Sequence, residues 1–158
     1  PGSYPLTFPR LVQPVLDARC LDCHAREPKA PSLRGDRFGP HGWSDAFRTL
    51  GPLAWGMSGG NGAALKEPQH STPGAVGARA SRLYRMLAAG HHGVRLAPAE
   101  MRRIALWLDA NSNFYGAYAE PERQARGGVV LPKWGLPKWM PPPLSEPPAV
   151  AALPALGD

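Results

Sequence analysis

Cys20-Leu21-Asp22-Cys23-His24 sets two thiols three positions apart and an imidazole directly after the second. Two intervening residues let one turn of chain present both sulfurs to the two vinyl groups of a haem. The next residue is then carried under the ring, where its imidazole reaches the iron as the proximal ligand. This is the Cys-x-x-Cys-His pattern of c-type haem attachment. The chain has only two cysteines, and both lie in the motif. A disulfide is the default for a cysteine pair in an exported protein, but the spacing and the following histidine argue against it here. A thioredoxin-like pair wants a βαβ setting, which the sequence lacks. A zinc site wants further ligands at regular spacing, and His41, His70, His91 and His92 show no such spacing. The expected cofactor is one haem c, held by Cys20 and Cys23 with His24 on the iron.

The second axial position decides what such a haem does. Methionine there raises the potential, a second histidine leaves it lower, and an open position admits ligands. Met86 and Met101 fall in helical apolar stripes, where methionine usually fills a core. Met57, in Trp55-Gly56-Met57-Ser58-Gly59, and Met140, in Trp139-Met140-Pro141-Pro142, stand in loop-like sequence and remain candidates. His91 and His92 follow Gly90 and precede a second helix, and a loop hinged between two packed helices is a rigid place to hold a ligand. One member of this pair is the favoured distal ligand, with Met57 or Met140 behind it.

The elements that must position these groups read as short helices. Leu11, Val12, Val15, Leu16 and Ala18 follow a rough helical period up to Arg19, interrupted by Pro14. This predicts a short or kinked helix ending at the motif, with Pro9 tolerated at its first position. Residues 25–77 are rich in Gly, Pro, Ser and His and read as loop, with one or two helical turns over 43–50. Loops of that length usually have a function or cover something. Ala80, Leu83, Tyr84, Leu87 and Ala88 predict a helix over 78–89, ended by Gly90. Met101, Ile104, Ala105 and Leu108 recur at i, i+3, i+4 and i+7 and predict the clearest helix, over 98–111, with Pro98 at its start.

The chain has 158 residues, of which 43% are hydrophobic, enough for one domain with a core. Proline (20) and glycine (18) are abundant enough to make much of the backbone irregular. The net charge of +6 is spread without a run of like charges, so it carries no nucleic-acid footprint. No stretch reaches the length of a membrane span. Pro1-Gly2-Ser3 reads as a matured end or a domain boundary, with no leader pattern visible. Eight prolines fall in 132–158, and Leu-Pro-Lys-Trp occurs at 131–134 and again at 136–139. This predicts a domain at 1–130 and an extended, polyproline-like tail at 131–158. Trp134 and Trp139 favour docking of that tail, because large aromatics are costly to leave in water.

Several segments together resemble one group, the c-type cytochrome domain of proteins related to the hydrazine synthase alpha subunit. They are Val15-Leu16-Asp17 before the motif, Gly77-Ala78-Arg79-Ala80-Ser81-Arg82-Leu83-Tyr84, Gly90-His91-His92-Gly93-Val94-Arg95-Leu96, and the run from Trp107-Leu108-Asp109 to Phe114-Tyr115-Gly116. The resemblance covers roughly residues 8–128. It implies a compact helical domain with bis-histidine ligation, the distal ligand coming from the Gly-His segment. By position that is His91, with His92 in reserve. Enzymes of the group also carry a β-propeller and a separate catalytic haem, and nothing here matches a propeller.

The expectation is therefore an all-α, cytochrome c-like domain of three or four helices around one covalent haem, with long loops and a Pro-rich tail. Electron transfer is its expected function, and an electron carrier is expected over an enzyme. The alternatives are a haem enzyme or ligand-binding subunit acting on a small nitrogen species or peroxide, and a structural subunit of a larger cytochrome assembly joined through the tail. The expected partner is a redox protein, with another cytochrome as one candidate, and neither nucleic acid nor a membrane span is expected. Attachment of this kind occurs outside the cytoplasm, so a periplasmic or otherwise exported location is expected. Trp43, Trp55 and Trp107 are the candidate walls of the haem pocket.

Overall fold

A computed structural model describes residues 4–54, 74 and 77–131. These residues are mostly helical and contain no strand, only two isolated bridges, Phe38 with Ser44 and His91 with Val94. Among them no helix is long and apolar enough to cross a membrane. The helices are shorter and more numerous than three or four. They are α1 (Phe8–Leu11), α2 (Gln13–Arg19), α3 (Leu21–Arg26), α4 (Asp45–Leu50), α5 (Gly77–Ala80), α6 (Arg82–Ala89), α7 (Pro98–Asp109) and α8 (Pro121–Ala125). Single-residue breaks separate α1, α2 and α3, and likewise α5 and α6, so the predicted segments are present but interrupted.

The breaks at Val12 and Ser81 have visible causes. Pro14 lacks the N–H that would pair with the Arg10 carbonyl, and the Val15 N–H bonds Val12 rather than Leu11. The guanidinium of Arg103, on α7, donates to both freed carbonyls, Arg10 and Leu11. The kink is thus closed by a charged side chain from another helix, and it draws α7 against α1. Ser81 breaks the 78–89 segment because its hydroxyl accepts the Tyr84 N–H as the N-cap of α6 (3.2 Å) and donates to the Leu53 carbonyl (3.1 Å). Asp109, at the end of α7, accepts the Ala78 N–H (2.7 Å), and a side chain at Gly77 (φ +66°) would collide with that carboxylate.

The core is aromatic. Phe8, Phe47 and Trp107 are wholly buried, and Phe114 nearly so. Phe8 meets Trp107 and Phe47 edge to face at 5.2 and 5.3 Å, a favourable arrangement of ring quadrupoles. Val12, Leu16, Leu83, Leu87, Ile104 and Leu108 close the cluster. One carbonyl, Asn113, accepts from both the Trp107 indole and the Phe8 amide (3.0 Å each), so the exit of α7 is pinned to the start of α1. The short α8 was not foreseen from the sequence. Its Gln124 is buried and uses its full amide capacity on the 116–119 backbone: Oε1 accepts from Gly116 and Ala117, and Nε2 donates to Ala117 and Ala119.

Candidate functional site

Cys20 is the hinge of the motif. Its N–H closes α2 on Leu16 (2.8 Å), and its carbonyl opens α3 by accepting from His24 (3.1 Å). The predicted helix does stop at the motif, but a new one begins there. Cys20, Cys23 and His24 stand at i, i+3 and i+4 across that start, a spacing that stacks side chains on one helical face. All three line one cleft of about 550 Å³. Both thiols are free; Cys20 is half-buried and Cys23 exposed. Burial raises the Cys20 thiol above its ordinary pKa, with smaller contributions from Glu100 and Cys23. Thiol–disulfide catalysts show the opposite direction, a thiolate favoured at neutral pH.

The His24 ring is oriented by its Nδ1, which lies 2.9 Å from the Pro31 carbonyl. A carbonyl can only accept, so Nδ1 carries the hydrogen, and in the neutral ring Nε2 is left with its lone pair. Metal-binding histidines are commonly held this way, the second nitrogen bonded to a backbone carbonyl. A turn sealed by the Ala30 N–H on Glu27 (3.0 Å) brings Pro31 back over α3.

His91 enters the same cleft from the other side of the fold. Gly90 ends α6 at φ +88°, and residues 91–94 form a tight two-residue turn. His91 and Val94 exchange both backbone hydrogen bonds (3.1 and 2.9 Å), with positive φ at His92 (+47°) and Gly93 (+82°). Two positive-φ central residues mark the type I′ turn. The turn anchors His91 at its base, half-buried, and leaves His92 exposed at its tip. Burial, then the neighbouring His92 and His24, lower the His91 pKa, which favours the neutral imidazole that a metal requires.

The His24 and His91 ring centres lie 6.2 Å apart. A metal–imidazole bond of about 2 Å, plus roughly 1.1 Å from each nitrogen to its ring centre, gives about 6 Å for two imidazoles on one metal. The ring spacing thus matches that of two imidazoles sharing one ion, and both thiols line the same cleft. Leu87, Val94, Ala30 and Pro31 give the cleft apolar walls, and Arg19, Glu27 and Lys29 rim it. Among the described residues no group of three or more His, Cys, Asp or Glu side chains is placed to hold a bare metal ion.

One carboxylate links the two halves of the site. Glu100, in the first turn of α7, accepts from Arg19 Nε (2.8 Å) and from the Ala97 N–H (2.8 Å). Arg19 directly precedes Cys20, and Ala97 closes the loop that begins at His91. These bonds, Arg19 first, hold the Glu100 carboxyl below the usual range. Sequence reasoning missed Arg19, Glu100 and Pro31. Pro98-Ala99-Glu100, a Glu at the third helical position, was the available signal for one of them; nothing marked the Pro31 carbonyl.

The other candidates lie elsewhere. Met57, Met140, His70 and Trp55 fall outside the described residues. Met86 and Met101 pack against the core. His41 lies against Trp43 (5.1 Å) and lines a different cavity with Tyr115. Trp107 and Trp43 are not walls of the cleft: Trp107 is buried among Phe8 and Phe47, and Trp43 packs edge-on against Phe47. The aromatic core recruits both, and the cleft is walled by aliphatic residues instead. No protein-family model matches this chain, and no curated protein or solved structure matches it.

Proposed function

We propose that this chain is a monohaem c-type cytochrome that carries electrons. The observation that supports it best is the His24–His91 pair, two imidazoles from distant segments facing one another at 6.2 Å across a cleft that also holds both motif thiols. In this reading Cys20 and Cys23 would hold the haem covalently, each thiol adding across one vinyl group with no net oxidation. His24 and His91 would hold its iron, and the bound haem would supply a one-electron couple. The chain's own part is to fix both imidazoles by backbone bonds, to keep them neutral and to wall the ring with aliphatic side chains. A six-coordinate iron leaves no site for substrate, which favours outer-sphere transfer to a redox protein over catalysis. Haem attachment of this kind occurs outside the cytoplasm, so in this reading the chain works in the periplasm or is otherwise exported.

Absorption spectra of the oxidised and reduced protein, followed by carbon monoxide, test the reading. Low-spin spectra in both states, indifferent to carbon monoxide and lacking a methionine–iron band, are expected. His91→Ala should turn the haem high-spin and open it to carbon monoxide, while His92→Ala should leave it low-spin. Prompt carbon monoxide binding by the native protein would point instead to an open iron and to chemistry on a small nitrogen species or peroxide.

A further inference from the structure

A groove of about 640 Å³ lies away from the haem-site cleft and shares no residue with it. Pro9, Pro14, Leu21, Phe38 and Ala125 give it apolar walls, and Phe38 is 44% exposed there. A second cavity of about 420 Å³ continues it, sharing Phe38, Ala125 and Arg126. Gln13 is part of the wall. Its Nε2 spends both hydrogens on Asp17 (2.8 Å) and the Leu33 carbonyl (3.1 Å), which fixes the amide orientation. Its Oε1 is buried and has no donor. Asp17 and Asp36 place acidic groups along the same wall.

We infer that this groove is the seat of the chain's own proline-rich tail, with the Leu-Pro-Lys-Trp repeat of 131–139 laid along it. Three features of the molecule select that occupant. First, the segment that leads into the tail passes the groove: Arg126 lines it, Gly127 approaches the Pro9 carbonyl, and Gly128 is tied back to Arg123 (2.9 Å). From Arg126 to Trp134 is at most about 29 Å of extended chain and to Trp139 about 47 Å, so both tryptophans can reach it. Second, proline and aromatic walls are what extended Pro-rich segments dock against. Third, Lys133 or Lys138 can meet the Asp17 carboxylate, which carries no arginine partner, whereas Asp36 is already paired with Arg34. The tether makes docking intramolecular, at an effective concentration of order mM, so modest contacts suffice.

Trypsin cleavage after Lys133 and Lys138 in the intact holoprotein reads the docked state. Cleavage there is expected to be about tenfold or more slower than in a free peptide of the same sequence, as it is when the open form is the minority. Phe38→Ser, at an exposed side chain, should remove that protection while leaving the haem spectrum unchanged. The tail change Trp134→Ala with Trp139→Ala, made far from the helical core, should do the same. Cleavage as fast as in the free peptide would overturn the inference. Protection that survives Phe38→Ser would also overturn it, because the tail would then be docked elsewhere. Protection that grows with protein concentration and accompanies a dimer mass would overturn it in favour of a second copy. None of these outcomes depends on which ligands the iron takes.

Discussion

Around Phe8, Phe47, Trp107 and Phe114, ring centres lie 4.9 to 6.3 Å apart and the side chains are buried. Around Cys20, Cys23, His24 and His91 no fully buried aromatic takes part, and most side chains keep some exposure. The first region is held by dispersion and apolar burial, which are felt methylene by methylene. The second is held by backbone geometry: a helix start at Cys20, a two-bond turn at His91, a carbonyl behind His24 and a carboxylate between Arg19 and Ala97. The difference predicts that stability and ligand placement separate in this fold, except at Leu87, which belongs to both regions. Changes in the aromatic cluster should cost stability and spare the site, and changes in the cleft should do the reverse.

The largest expected effect tests the cleft side. Replacing both thiols, Cys20→Ala with Cys23→Ala, should abolish covalent haem completely, read by haem staining of a denaturing gel. The helical circular dichroism should persist, because neither thiol belongs to the buried core. Haem that stays attached through denaturation in the double variant would remove the basis for the proposed function. Loss of the helical signal together with the haem would show that the two regions are not separable.

The aromatic side carries the next effect. Phe47 touches Phe8, Trp43, Trp107 and Phe114 and has no exposure. Phe47→Ala should cost about 3–5 kcal/mol in urea unfolding, the range for a large core truncation. The haem spectrum in the absence of denaturant should stay native. Arg103→Ala comes after it, because it strips the donors from two carbonyls at the α1–α2 kink. A cost of roughly 1–3 kcal/mol is expected, with part of it recovered by Arg103→Lys. An Arg103→Ala variant as stable as the parent would mean that water satisfies the kink as well as the guanidinium does.

The same division explains what was legible beforehand. The periodicities of Met101, Ile104, Ala105 and Leu108 and of Leu83 and Leu87 gave α7 and α6, because amphipathic stripes are written locally. Pro14 marked the break near Val12, but not the Arg103 guanidinium that closes it from another helix; the break at Ser81 was not legible, because its hydroxyl is held by a carbonyl at Leu53. Trp43 and Trp107 were misplaced because residue type shows that a tryptophan will be buried but not against which neighbour. On the site, the spacing within Cys20–His24, and the resemblance that singled out His91 over His92, pointed at four residues that do line one cleft, His92 with them. The groups that hold them, the Pro31 carbonyl and the Arg19–Glu100 pair, come from tertiary approach and left only a faint trace in the sequence.

The smallest effect joins the two regions, since Glu100 starts a core helix and also steadies the cleft. Its carboxyl titrates below the usual range in the folded protein, chiefly through Arg19. A depressed carboxylate stabilises the fold above its unfolded pKa, and that contribution is lost as pH falls through the lower folded value. Arg19 is half-exposed, so the pair should contribute about 1 kcal/mol or less. Asp36 and Asp45, also depressed by neighbouring arginines, lose their contributions over a similar acidic range in any variant. The informative quantity is therefore the difference between the parent and Glu100→Gln. In paired urea titrations the parent should be slightly more stable at neutral pH, and the gap should close as pH falls below the ordinary carboxylate range. A gap that stays constant with pH would mean that the Glu100 charge adds nothing to stability beyond what a neutral amide at that position supplies. The cleft and the core would then share a helix start but no charge.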